Sequence, residues 1–195
     1  MFRSIYILRK LSHPNIGNML CLYAENPDVQ AFDTFYAILD YDGLTLRNVL
    51  DHEHPLSIRC VLEIVTQTVV GLAYIHSFAV AHGELNPSSL ILVNRRSNRV
   101  HASGNPKWKS FLLKITGFGK YPLISMDQTQ DVDDAAKAYR APEVITQWST
   151  FKTQSDACAV DIFSFGLIVT ELITGRVPMN LPHDLAIIEE ISGLY

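Results

Sequence analysis

The chain has 195 residues, of which 48% are hydrophobic and 18% are charged, and its formal net charge is −4. This composition is typical of a globular domain with a substantial core and excludes a disordered chain. The slightly acidic balance gives no reason to expect a nucleic acid partner.

The cysteines and the apolar runs indicate the compartment. Cys21, Cys60 and Cys158 are odd in number and widely spaced, which argues against a disulfide framework and for a reducing environment. The N-terminus lacks the pattern of a signal peptide. The most apolar stretch, residues 162–173, is too short to span a bilayer and contains Glu171. We therefore predict a cytoplasmic protein with no membrane span.

The first half of the chain predicts two helices and two strands. Apolar residues recur at helical spacing over residues 4–12, and Pro14 follows to end that helix. Two β-rich runs, 19–23 and 35–41, come next. Residues 57–77 predict a long amphipathic helix, which Ser57 can cap. Its predicted apolar stripe consists of Leu62, Val65, Val69 and Leu72.

The second half predicts two short strands and a buried helix. Runs 90–93 and 111–115 flank a loop, residues 94–110, in which every charged side chain is basic. We expect a solvated loop, and the alternative is a docking patch for an acidic partner. Residues 160–174 are apolar nearly all round, and Gly175 can end them, as in a buried central helix.

Two segments point to a function. His82-Gly83-Glu84-Leu85-Asn86-Pro87-Ser88-Ser89 follows the long helix, and Lys114-Ile115-Thr116-Gly117-Phe118-Gly119 follows the last predicted strand. They resemble the H-R-D-L-x-x-x-N and D-F-G segments of eukaryotic protein kinases. In that family the first Asp is the base, and the Asn and the second Asp hold magnesium.

Four more motifs stand in the same order as in that family. They are His13-Pro14-Asn15-Ile16, Tyr74-Ile75-His76-Ser77, Ala141-Pro142-Glu143 and Asp161-Ile162-Phe163-Ser164-Phe165-Gly166. The resemblance implies an α+β, protein kinase-like fold made mostly of the helical C-lobe. Residues 1–41 would be a residual N-lobe and hinge, and residues 42–195 a C-lobe that is incomplete at its C-terminal end. The glycine-rich part of the N-lobe is absent from the chain as given.

The resemblance assigns structural roles to residues that match the family. Asp161 would accept hydrogen bonds from the backbone of the His82 loop, and Leu8, His82 and Phe118 would stack in the spine between the lobes. The full set of matching structural positions is His82, Phe118, Gly119, Ala141, Pro142, Glu143, Asp161 and Gly166.

The residues at the chemical positions differ from the family. Glu84 replaces the base Asp, Asn86 a Lys, Ser89 the Asn and Gly117 the metal-binding Asp, while Ser4 replaces the Glu that pairs with the ATP-orienting Lys. The resemblance therefore implies that phosphotransfer is lost. The chain is expected to have no catalytic residue and no metal site, and not to be an enzyme. Magnesium–ATP is expected to bind weakly or not at all, and the nucleotide-binding residues are unknown. Glu84 is expected to behave as a surface-like residue that makes local hydrogen bonds.

Three functions follow from this sequence. The first is a pseudokinase domain that acts as an interaction scaffold or allosteric signalling module for a protein partner. The alternatives are a divergent active serine/threonine kinase with Glu84 as base, and a partial, non-functional product.

A finer resemblance concerns the segment around Ala141-Pro142-Glu143-Val144-Ile145, with Gln147 and Phe151-Lys152-Thr153. It is similar to the TBC-domain-containing kinase-like proteins, in which a pseudokinase is fused to a Rab-GTPase-activating domain. This resemblance implies a longer natural chain and a role in the Rab GTPase pathway.

Overall fold

The computed structural model describes residues 11–24, 35–39, 43–53, 55–94, 111–117, 134–142, 144 and 154–178. The strands are β1 (Met19–Ala24), β2 (Phe35–Leu39), β3 (Leu44–Thr45), β4 (Leu90–Asn94) and β5 (Phe111–Ile115). The helices are α1 (Leu46–Glu53), α2 (Ile58–Ser77), a 3₁₀ turn (Pro87–Ser89), α3 (Asp134–Lys137) and α4 (Gln154–Thr174). The mixture of helices with few strands confirms the predicted α+β class.

Two antiparallel sheets organise the strands. β1 pairs with β2, and Leu22 lies opposite Ala37. The second sheet has the order β3-β4-β5, in which Leu92 pairs with Leu44 on one side and Leu113 on the other. All four predicted strands are present within one or two residues of their predicted ends.

The segment that follows the predicted first helix extends the second sheet. The Gly17 N–H donates to the Ile115 carbonyl at 2.8 Å, and the Ile115 N–H donates to the Asn15 carbonyl at 2.9 Å. The Asn15 side chain also donates to the Leu113 carbonyl at 2.9 Å. These bonds fix the His13–Ile16 motif beside β5. The predicted helix itself lies outside the described residues, except residues 11 and 12, which are not helical.

Helix α2 packs on β5 and begins as predicted. The Ser57 hydroxyl accepts a hydrogen bond from the Cys60 N–H at 3.3 Å, which satisfies one free donor of the first turn. The predicted buried stripe is wrong in part, because Leu62 is 57% exposed and Val69 is 45% exposed. The buried face instead holds Val61, Ile64, Thr68, Leu72 and Ile75. Both faces of this helix are apolar, so helical spacing alone does not select the one that packs.

Helix α2 also resembles a membrane-spanning helix by length and composition. It is the one such helix among the described residues, with 39% of its apolar window buried inside the protein. The core helix of a soluble protein passes the same test, and α2 contributes a buried face to the main core.

Helix α4 contacts α2 and ends where predicted. Gly175 adopts a φ of 70°, and its N–H donates to the Glu171 carbonyl at 2.7 Å, which closes the last turn. The helix begins six residues before the predicted start. The prediction of burial on all sides is wrong for the described residues, because Ile162 and Ile173 are exposed. Burial is confined to the face that packs on the described core through Ile168 and Leu172.

Helix α1 was not predicted from the sequence. Leu46, Val49 and Leu50 are buried at helical spacing, and they carried the signal that could have identified it. The Thr45 hydroxyl accepts the Asn48 N–H at 3.1 Å, which caps the first turn.

Candidate functional site

The loop of residues 82–89 is held in place by a carboxylate on α4. Asp161 is fully buried and accepts hydrogen bonds from the backbone N–H groups of His82 at 2.7 Å and Gly83 at 2.8 Å. The imidazole of His76, at the end of α2, lies 2.8 Å from the same carboxylate. Gly83 adopts a φ of 82°, which suits glycine. The predicted anchoring of the loop by Asp161 agrees with this geometry, and His76 is a partner that the sequence did not reveal.

His82 connects the loop to the second motif segment. Its Nε2 lies 2.7 Å from the Thr116 carbonyl, and the Thr116 N–H donates to the Ser89 carbonyl at 2.9 Å. Burial lowers the pKa of His82, which keeps the imidazole neutral, against the opposing effects of Asp161 and the hydrogen bond to Thr116. The neutral ring donates from Nε2 to the carbonyl and accepts the Glu84 N–H at Nδ1, 3.3 Å away. The described part of the second segment is therefore hydrogen-bonded directly to the loop.

Asn86 and Ser89 cap the 3₁₀ turn against each other. The Asn86 side chain accepts the Ser88 N–H at 2.8 Å, and the Ser89 hydroxyl accepts the Asn86 N–H at 3.1 Å. The same hydroxyl donates to the Asn86 carbonyl at 2.8 Å. Both side chains are buried and serve the loop backbone.

Glu84 is the carboxylate at the centre of the loop. Its Oε1 lies 3.2 Å from Nη2 of Arg140, and the two side chains are only 10% and 12% exposed. The expectation of a surface-like residue is therefore wrong, since the longer glutamate side chain reaches inward to a cation. The expectation that the Glu84 charge serves local hydrogen bonding did not anticipate this contact, which spans 56 positions of sequence.

The donor set of the described residues does not fit the magnesium ion that the Asn and the second Asp of the two motif segments hold in protein kinases. Gly117 has no side chain and therefore supplies no metal ligand from a side chain. It adopts a φ of 79°, and a Cβ added to it would lie 3.8 Å from the Cβ of Ser89. The Ser89 hydroxyl is engaged with the backbone, and Glu84 pairs with Arg140. Within the described ranges no group of three or more His, Cys, Asp or Glu side chains could hold a metal ion. We therefore derive no chemical step through magnesium.

The remaining predicted positions divide into three groups. Ala141 is buried in a small cluster with Val144 and Val160, next to Pro142. Gly166 lies on the exposed side of α4, with no atom within 4 Å of a hypothetical Cβ. Ser4, Leu8, Phe118, Gly119 and Glu143 lie outside the described residues.

A buried polar network below the site was also missed. The Glu171 carboxylate on α4 lies 2.8 Å from the Arg47 guanidinium on α1. It also accepts a short hydrogen bond from the Tyr139 hydroxyl. Burial, followed by the hydrogen bond to Glu171, raises the pKa of Tyr139. The network fixes the segment that carries Arg140 to the central helix.

One pocket of about 420 Å³ lies elsewhere, between the Pro14 segment, α2 and β5. Leu62, Thr66 and Leu112 contribute to its walls, and none of the candidate site residues does. The loop of residues 82–89 therefore lies outside this pocket.

Comparison with known proteins decides the family. The family model described as protein kinase domain matches residues 1–193. The chain belongs to the protein kinase family.

Individual relatives of this kinase domain carry mitogen-activated protein kinase names. Mitogen-activated protein kinase pmk-2 of Caenorhabditis elegans is 31% identical over 179 residues, which cover 90% of this chain and 40% of the relative. Mitogen-activated protein kinase 12 of Mus musculus is 31% identical over 193 residues, covering 99% of this chain and 46% of the relative. The chain thus spans less than half the length of these relatives.

The fold is shared with a solved kinase structure. Rad53 1-466 in complex with AMP-PNP superposes with a TM-score of 0.65 at 24% identity, covering 100% of this chain and 43% of that one. This likeness confirms the predicted protein kinase fold.

The prediction that the chain is not an enzyme is contradicted by these relatives, which are named as kinases. That prediction depended on side-chain identity at a few positions, chiefly Glu84, Ser89 and Gly117. The structure retains the backbone frame that positions the loop, and Glu84 keeps a carboxylate within it. The expectation of an inactive homologue is corrected to that of a protein kinase domain.

Proposed function

We propose that this chain is the larger part of a protein kinase domain that transfers the terminal phosphoryl group of ATP to a protein hydroxyl group. In the proposed step the hydroxyl oxygen bonds to the terminal phosphorus, and the bond from that phosphorus to the bridging oxygen of ADP breaks. The hydroxyl proton passes to the Glu84 carboxylate. The products are ADP and a phosphoprotein.

The observation that carries this proposal is the fixed position of Glu84. The Asp161 carboxylate accepts hydrogen bonds from the backbone N–H groups of His82 and Gly83, the two residues before Glu84, at 2.7 and 2.8 Å. The Asn86 amide donates to the Glu84 carbonyl at 2.9 Å. Phosphoryl transfer depends mainly on positioning and charge stabilisation, and a preset carboxylate supplies the first of these. The kinase names of the relatives support the same reaction.

The proposal includes weak binding of magnesium–ATP. Ser89 and Gly117 offer the phosphates no carboxylate or amide from the described part of the site. Weak nucleotide binding is compatible with slow transfer that saturates only at high ATP concentration.

The partner in this proposal is the protein substrate, and the proposed location is the cytoplasm. The finer resemblance to TBC-domain-containing kinase-like proteins stays a prediction about a domain outside this chain. Its distinguishing residues beyond Val144 lie outside the described ranges.

The proposal is tested by transfer of labelled phosphate from ATP to a generic protein substrate, with magnesium or manganese, by the full-length protein. Wild-type protein is expected to give transfer that Glu84→Gln reduces to background, because the amide cannot accept the proton. Glu63→Gln on α2 is the matched control and should leave transfer unchanged. Transfer that survives Glu84→Gln, or no transfer by the wild type, would refute the proposed function.

A further inference from the structure

The glutamate in the loop has one more rotatable bond than the aspartate it replaces. The backbone of Glu84 is fixed by its bonds to His82 and Asn86, but these backbone bonds do not set the torsion angles of the side chain. A flexible side chain loses conformational entropy when it is ordered, so a productive position requires a second contact.

Arg140 supplies such a contact from a distant part of the chain. Its guanidinium reaches the Glu84 carboxylate at 3.2 Å across 56 positions of sequence. Both side chains are nearly buried, so water screens this pair less than a surface pair. Charge-assisted hydrogen bonds from arginine are among the stronger and more directional contacts in proteins.

Arg140 is itself fixed on both sides. The preceding residue, Tyr139, is buried and hydrogen-bonded to Glu171 on α4. The following residue, Ala141, is buried with Val144 and Val160. The Arg140 N–H also donates to the Lys137 carbonyl at 3.1 Å, which closes the turn after α3. The guanidinium is therefore presented by a braced backbone.

We infer that Arg140 is a positioning residue for Glu84, which compensates for the extra methylene group and makes the site depend on the order of residues 134–142. Glu84 is the only charged residue of the loop itself, and Asn86 adds no cation beside it. Glu84 and Asp161 both act electrostatically on the buried imidazole of His82, which belongs to the loop's own anchor. The catalytic consequence of this inference depends on the proposed function.

The first test measures transfer by the full-length protein. Arg140→Ala is expected to lower kcat by about tenfold to a hundredfold, with little change in the KM for ATP, because a shift of about 1 Å in a catalytic group can cost that much. Arg140→Lys should recover part of the loss. Arg59→Ala, an exposed arginine on α2, is the matched control and should change neither constant. An Arg140→Ala variant with wild-type kcat would overturn the inference while leaving the proposed function standing.

The second test does not depend on activity. Chemical unfolding of Glu84→Gln, Arg140→Ala and the double variant forms a double-mutant cycle. The double variant should be destabilised by clearly less than the sum of the single changes. Additive effects would show that the two side chains are uncoupled and would overturn the inference. Coupling in a protein that transfers no phosphate would instead refute only the proposed function.

Discussion

The carboxylate of Asp161 lies 2.7 Å from the backbone nitrogen of His82, 79 positions earlier in the chain. This bond joins the central helix α4 to the loop that carries Glu84. A carboxylate that accepts two backbone N–H groups binds the main chain of the loop. The loop can therefore keep its position when its side chains change. Such tolerance explains how the frame persists around Glu84 and Ser89.

Asp161→Ala should destabilise the domain strongly. It leaves two buried N–H donors and the His76 imidazole without this acceptor, and each orphaned donor costs about 1–3 kcal/mol. Chemical unfolding measures the free energy. Asp51→Ala is the matched control, because its carboxylate is 50% exposed and should contribute within about 0.5 kcal/mol. Similar losses for the two variants would contradict the anchoring role.

Arg47→Ala should also cost about 3–5 kcal/mol of unfolding free energy, because it leaves the buried Glu171 carboxylate without its cation. The double variant Arg47→Met/Glu171→Gln should lose less unfolding free energy than Arg47→Met alone, since the uncompensated charge of Glu171 is then removed as well. Denaturant unfolding of the three variants checks this. If Arg47→Ala behaves like a surface substitution, the ion pair does not form in solution.

Stability should fall in mild acid through His82. Because burial lowers the pKa of His82 in the folded protein, the unfolded chain takes up a proton near the ordinary pKa of 6.5 that the folded protein does not. The contribution is present above that pH and is lost as pH falls below it, by up to about 1.4 kcal/mol per pH unit.

Replacement of His82 isolates this effect. His82→Gln removes the His82 titration and leaves the other titratable side chains in place. The unfolding free energy of the variant should therefore depend less steeply on pH between about 6.5 and 5. Parallel pH profiles would show that His82 does not control the acid sensitivity.

Magnesium removal should have little effect on nucleotide binding. The described residues around Gly117 and Ser89 supply no metal ligand set, so ATP should stabilise the protein equally with magnesium or with EDTA. A ligand at a hundred times its Kd adds about 2.7 kcal/mol, which a thermal-shift series resolves. A stabilisation that requires magnesium would show that ligands outside the described residues complete a metal site.

The sequence predicted the frame of this domain better than its side-chain partners. Strand positions, the Ser57 cap and the Gly175 stop follow from local rules, and the motif order identified the fold. The Glu84–Arg140 and Arg47–Glu171 pairs join residues far apart in sequence, so no local pattern reveals them. The buried face of α2 was misassigned because Leu62 and Val61 are equally apolar, and only the packing of β5 distinguishes them.

Two helical glycines provide the last prediction. Alanine is favoured over glycine in helix interiors by about 1 kcal/mol, so a substitution is stabilising where space allows. At Gly166 on α4, no atom lies within 4 Å of the added Cβ, and Gly166→Ala should stabilise the protein by about 0.5–1 kcal/mol.

At Gly71 on α2, the added Cβ would lie 2.7 Å from Cδ1 of Ile115 and 3.1 Å from the Asn15 carbonyl oxygen. The Ile115 methyl can rotate, but the Asn15 oxygen belongs to the backbone bonded to β5 at 2.9 Å. Overpacking of this kind costs about 1–3 kcal/mol, which exceeds the gain in helix propensity, so Gly71→Ala should be destabilising. Denaturant unfolding compares the two variants under identical conditions. Stabilisation by Gly71→Ala would mean that α2 does not pack this closely on β5 and on the Asn15 segment.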